Sequence, residues 1–311
     1  MKILSHLLIL LYFILNVKAQ NIVKGDYGYL YCHMSDKGEY TAFAISRDDY
    51  NYEDIIGGKA IMDVREHARI EGGQRDAYIT RDYTGNGYIV VTTDMCVAKS
   101  KVWNNYGIDL LRSDDLIHWS SVTFDFRKGP SIFIDPKSES VYKDFSTVSR
   151  VWAPQIFWDP KYEWSSGDKG GYFIYYSMLN RNEEGYDRMY YSYADKTFTK
   201  MTQSKLLLDW GYATIDADIN LLEDGLYHML IKKEGGKPGI FTATSKYLTH
   251  GWGKPVDIMF LLKEIKNVKE VVLFNLLEIK LGRWLIFNKV ITLNITEFVK
   301  LMNILEISMI Q

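Results

Sequence analysis

Arg75-Asp76-Ala77-Tyr78-Ile79, followed by Gly87-Tyr88-Ile89-Val90-Val91, reads as a hairpin, and the pattern recurs along the chain. A later copy is Asp216-Ala217-Asp218-Ile219 with Gly225-Leu226-Tyr227-His228-Met229. A third is Ala153-Pro154-Gln155-Ile156 with Gly171-Tyr172-Phe173-Ile174-Tyr175, and it places Ala153 where the other two carry aspartate. A repeated unit that offers a carboxylate twice at the same opening position can converge two acids on one point.

Outward from these hairpins, the text from Tyr27 to Trp252 is strand-like throughout. Apolar and aromatic runs of roughly 4–8 residues alternate with Gly, Asp and Asn turns. A second phrase closes each unit: Leu111-Arg-Ser-Asp-Asp-Leu-Ile-His-Trp119 is one copy, and Ala44–Asn51, Tyr191–Phe198 and Thr244–Trp252 are others. In each, Ser or Asp holds a turn through a local backbone bond, and an aromatic is placed to bury between neighbouring units. Units of about four strands with variable loops predict an all-β fold, a β-propeller. A sandwich with long loops is the competing architecture.

The 311 residues are 47% hydrophobic, enough for a large core, and the net charge of −2 gives no electrostatic case for a nucleic-acid partner. Residues 1–19 read as a signal peptide: Lys2, an apolar stretch from Leu7 to Val17, then Val17-Lys18-Ala19 as a cleavage site. An uncleaved anchor is the alternative. The expected location is secreted, periplasmic or extracellular, with no membrane span in the mature protein. Two cysteines, Cys32 and Cys96, leave open one disulfide or two thiols.

The body assigned to residues 20–257 gives way to an atypical segment, 258–311, with no Tyr, Asp or Pro and a single glycine, Gly282. Taken singly, Asp76 and Asp216 have ordinary explanations as turn or strand-edge carboxylates, and Arg75 is placed to neutralise Asp76. Two such charges facing one funnel are harder to explain, because unpaired buried charge is costly.

These residues carry a resemblance to glycoside hydrolase family 43, the five-bladed propellers acting on arabinose-, xylose- and some galactose-containing glycans. Arg75-Asp76-Ala77-Tyr78-Ile79 is similar to the segment bearing that family's catalytic base, with Ala77 where proline is usual. Val151-Trp152-Ala153-Pro154-Gln155 resembles its Trp-Ala-Pro signature, and Ile215-Asp216-Ala217-Asp218-Ile219 the segment whose first Asp tunes the general acid. Lys233-Glu234-Gly235 is similar to a step lining the sugar pocket. The likeness covers about residues 24–257.

What the resemblance implies is inverting hydrolysis, in which two carboxyl groups roughly 6.5–9.5 Å apart admit a water between them. Asp76 would be the base. Asp216 would raise the acid's pKa by like-charge repulsion. Arg75, Trp152, Gln155 and Glu234 would bind substrate. Trp152 has a core role between blades as its competing reading, and Glu234 a solvated pair with lysine. Neither the histidines nor the family pattern demands a metal or other cofactor; calcium, held on the axis of some related propellers, is the one candidate.

The family's acid lies in a Glu-Gly segment opening the last blade, and this chain has no glycine after Glu270. Bases that encode Val268-Lys269-Glu270-Val271-Val272 can also be read, out of frame, as Glu-Gly-Ser-Ser. A frameshift would explain a last blade that is incomplete or disrupted. The function expected is therefore a secreted glycosidase on plant cell-wall oligo- or polysaccharide, releasing arabinofuranosyl, xylosyl or galactosyl units. The alternative is a non-catalytic carbohydrate-binding propeller or an inactive remnant.

Overall fold

The computed structural model describes residues 27–35, 38–47, 51–128, 147–181, 185–222 and 224–258, together with the backbone of 290–294. The strands form four antiparallel sheets of four. The first contains β1 (Tyr27–Met34), β2 (Thr41–Ser46) and β3 (Glu53–Asp54), with β16 (Val290–Asn294) beyond β1. The second runs through β4 (Gln74–Arg81), β5 (Tyr88–Asp94), β6 (Gly107–Ser113) and β7 (Ser120–Asp125). The third holds β8 (Val148–Glu163), β9 (Lys169–Asn180), β10 (Arg188–Ala194) and β11 (Lys205–Leu208). The fourth holds β12 (Thr214–Leu221), β13 (Tyr227–Lys233), β14 (Gly239–Ser245) and β15 (Val256–Asp257). Two single-turn helices, α1 (Val64–His67) and α2 (Val97–Ser100), lie in connections.

Side-chain alternation explains how these sheets stack. Successive residues of a strand point to opposite faces. In β5, Tyr88 and Val90 join Leu30, Phe43 and Ile79 in a core between the first and second sheets. Ile89 and Val91 instead join Ile156, Ile174 and Tyr176 in a core between the second and third. β9 repeats the division: Tyr172, Ile174 and Tyr176 face the second sheet, whereas Phe173 and Tyr175 pack with Ala217, Ile219 and Met229 of the fourth. Sheets two and three are thus covered on both faces, so their middle strands read as continuous apolar runs. A sandwich has only two sheets and no doubly covered one. The fold is an all-β propeller.

The closing phrase acts as its residue types suggest. Ser113 Oγ accepts from the Asp115 and Leu116 amides, and Asp115 accepts from Ile117 and His118. Trp119 then meets Phe43 of the first sheet edge-on, centroids 6.2 Å apart. In the next copy Asp195 accepts from Thr197, Thr199 and the Lys200 amide, and Phe198 buries in the core shared with the second sheet. Leu116 and Phe198 share a left-handed backbone, φ 67° and 58°, which turns each inward.

β16 pairs antiparallel with β1 from Tyr27↔Asn294 to Tyr31↔Val290. It holds the edge of the first sheet that β4, β8 and β12 hold in theirs. The N-terminal sheet therefore takes a strand from the atypical segment. The signal peptide expected at 1–19, most of the last blade expected to be incomplete or disrupted, and the segment around Glu270 lie outside the described residues. No disulfide joins Cys32 and Cys96 in the structure, so of the two alternatives it shows the thiols. Among the described residues, no helix is long and apolar enough to cross a membrane.

Candidate active site

The repeated opening slot is a β-bulge. Register shifts fall between Arg75 and Tyr78, between Trp152 and Gln155, and between Ile215 and Asp218. In each bulge the slot residue takes a left-handed backbone: Asp76 at φ 50°, Ala153 at 46°, Asp216 at 52°. A bulge bends the strand and re-aims the residue it displaces from the ladder. Aspartate tolerates this conformation better than alanine, because its short polar side chain can bond locally. The Ala153 amide is held instead by Thr93 Oγ1 of the second sheet, at 2.9 Å.

The two aspartate slots, Asp76 and Asp216, open on one cavity of about 710 Å³. Arg75, Asp76, Trp152, Asp216 and Glu234 line it, so five of the six residues singled out from sequence come together. Gln155 does not line it. That side chain is buried, and its Oε1 accepts from Tyr175 Oη at 2.6 Å, while the same hydroxyl accepts from the Ile219 amide at 3.0 Å. It lies two residues beyond the slot and holds the Tyr175 hydroxyl, which in turn links the third sheet to Ile219 of the fourth.

The charges in the cavity are arranged in pairs. Arg75 is ion-paired with Glu39, which also accepts from the Ala98 amide at 2.7 Å. Burial pushes the Glu39 carboxyl up, but bonds from Ala98, Cys96 and Arg75 outweigh it and hold it below the usual range. Arg150 grips Asp187 with two bonds, 2.7 and 2.5 Å, and stacks on Trp152 at 4.2 Å. Trp152 is thereby built into the wall, and its buried indole N–H meets no acceptor among the described residues. Lys232 sits 2.5 Å from Glu234 Oε1 and 3.6 Å from Asp216 Oδ2.

Lys232, Arg150 and Trp103 are cavity residues that the motifs did not mark. Lys232 is one position before the Lys233-Glu234-Gly235 step, and alternation decides which lysine enters. Lys232 pairs across the ladder with Ile215, next to Asp216, whereas Lys233 packs over Tyr212 at 4.5 Å. A count of strand parity from Asp216 would have found it.

The strand that carries Asp76 has its own support. Asp94, fully buried opposite Gln74, accepts from the Ile70, Glu71 and Gly72 amides at 2.8–2.9 Å. These amides belong to the loop that delivers β4 and Asp76. Burial nevertheless raises the Asp94 carboxyl above its ordinary value. Among the described residues, no group of three or more His, Cys, Asp or Glu is placed to hold a metal ion.

A family model described as a probable glycosyl hydrolase domain, related to glycosyl hydrolase family 43, matches residues 25–292. The chain belongs to that family. The match runs past the stretch covered by the sequence motifs and reaches into β16. An α-L-arabinofuranosidase of Bifidobacterium longum is 21% identical over 254 residues, 74% of this chain. The aligned part is 22% of that much longer relative. Among solved structures, an α-L-arabinofuranosidase from Clostridium thermocellum shares the fold at a TM-score of 0.50 and 13% identity, over 76% of this chain and 68% of that one. An exo-β-1,3-galactanase from Phanerochaete chrysosporium aligns at a TM-score of 0.46 and 10% identity, over 71% of this chain and 44% of that one.

Proposed function

We propose that the cavity is the active site of an inverting glycosidase that releases arabinofuranosyl, xylosyl or galactosyl units from plant cell-wall glycans. The observation that carries this is the convergence of Asp76 and Asp216, on matching bulges, in one cavity of sugar-binding size. Asp76 takes the proton of the attacking water. Asp216 tunes the proton donor, and Lys232, between Asp216 and Glu234, moderates how much negative charge that donor meets. The donor itself is a glutamate of the segment around Glu270, restored when that segment is read in the frame giving Glu-Gly-Ser-Ser. With that frame the fifth blade is complete, and residues 1–19 direct the protein out of the cell. No cofactor is required, calcium included.

One observation favours a second function, glycan binding without hydrolysis. The other two described carboxylates of the cavity are already committed, Asp187 to Arg150 and Glu234 to Lys232. The two are separated by assaying the chain as written and a frame-restored chain on aryl arabinofuranoside, xyloside and galactoside. Hydrolysis by the restored chain alone supports the glycosidase with a broken frame. An intact frame on resequencing, with glycan bound but not cleaved, supports the binding function.

A further inference from the structure

Resting on the glycan-binding cavity proposed above, we infer that Trp103 is the platform for the sugar unit adjoining the one held at Asp76, and that it selects glycan chains over single sugars. Trp103 lines the cavity and is 55% exposed. Exposed apolar side chains are common on protein surfaces, but this one has two neighbours that are both cavity walls. The Arg75 guanidinium lies 4.9 Å from its ring centre, and Trp152 meets it at 71° with centroids 6.2 Å apart. Arg75 occupies one side of the indole, and over half of the residue is left for a ligand.

Trp152 offers less surface, being half-buried with Arg150 over one face of its ring. The segment presenting Trp103 is anchored on both sides. Before it, Lys101 closes α2 with a left-handed backbone at φ 61°, its amide donating to Val97 O at 2.8 Å, and Ser100 Oγ donates to Val102 O at 3.1 Å. After it, Asn105 Nδ2 donates to Val151 O at 2.7 Å and its Oδ1 accepts from the Val151 amide at 2.8 Å, next to Trp152. A fixed aromatic loses little freedom on binding, which suits the apolar C–H face of a sugar ring.

Calorimetric titration of the full chain tests this, with arabinose, xylose and galactose and with the corresponding oligosaccharides. The wild type is expected to bind oligosaccharides more tightly than the single sugar. Trp103→Ala should lose about ten-fold on oligosaccharides and nothing on the single sugar, while Trp103→Phe keeps most of the gain and controls for folding. An unchanged dependence on chain length in Trp103→Ala, with the wild type binding, overturns the platform alone. Absence of wild-type binding in all three series overturns the cavity's function and the platform together.

Discussion

The hairpins of Asp76 and Asp216 share a backbone and differ in electrostatics. Both slot residues sit on a bulge near φ 50°, and Ala153, in the matching slot of the third sheet, adopts φ 46°. Beside Asp216 the cation Lys232 lies 3.6 Å off, shared with Glu234. Beside Asp76 the adjacent cation, Arg75, is paired with Glu39 and packed on Trp103. The repeat thus supplies aim, and in the proposed mechanism the neighbours supply role. A carboxylate coupled to a lysine network suits tuning of another group, whereas one whose neighbouring arginine is engaged elsewhere suits proton abstraction.

The sharpest way to break this comparison is to neutralise each slot in the frame-restored chain. Asp76→Asn should lower turnover by roughly 10²–10⁴, the range for removing a general base, with KM for an aryl glycoside little changed. Asp216→Asn should also reduce turnover, and in addition move the basic limb of the pH–rate profile downward, because the proton donor loses a neighbouring negative charge. Equal profiles for the two variants would erase the distinction. Lys232→Met should act in the opposite direction: with its cation gone, Asp216 bears more strongly on the donor, and the basic limb moves up, with a turnover change of about ten-fold or less.

Smaller effects test the bulge itself. Ala153→Gly should stabilise by up to about 1 kcal/mol, since glycine relieves the left-handed strain at φ 46°. Ala217→Gly, buried and outside that conformation, should destabilise; urea titration of both reads the contrast. A separate pH test uses Asp109, fully buried and bonded by Thr92 and Thr123. Burial, then the charge of Asp94, lifts its carboxyl well above 3.8. The folded state then keeps a proton that the unfolded chain releases, so stability falls as pH rises from 3.8 toward the folded value and levels off above it. Asp109→Asn should flatten that fall in urea titrations across the same range.

Much of this was legible because a bulge imposes the same local problem three times, and the chain answers it with similar words. The closing phrases were legible for the same reason: Ser113, Asp115 and Asp195 bond within a few residues of themselves. What escaped depends on distance or on parity. β16 pairs with a strand more than two hundred residues away, and its own text lacks turn punctuation. Lys232 and Lys233 differ only in the face they take, and Gln155 only in the seam it enters. Trp103 sits on a loop, where periodicity carries no signal.

The most direct test of the central claim, single displacement across the Asp76–Asp216 cavity, is the anomeric form of the first product. Proton NMR of an aryl glycoside during early hydrolysis by the frame-restored chain should show the inverted anomer first, with no such signal from Asp76→Asn. A retained anomer as first product, or an inverted one formed equally by Asp76→Asn, would contradict the account.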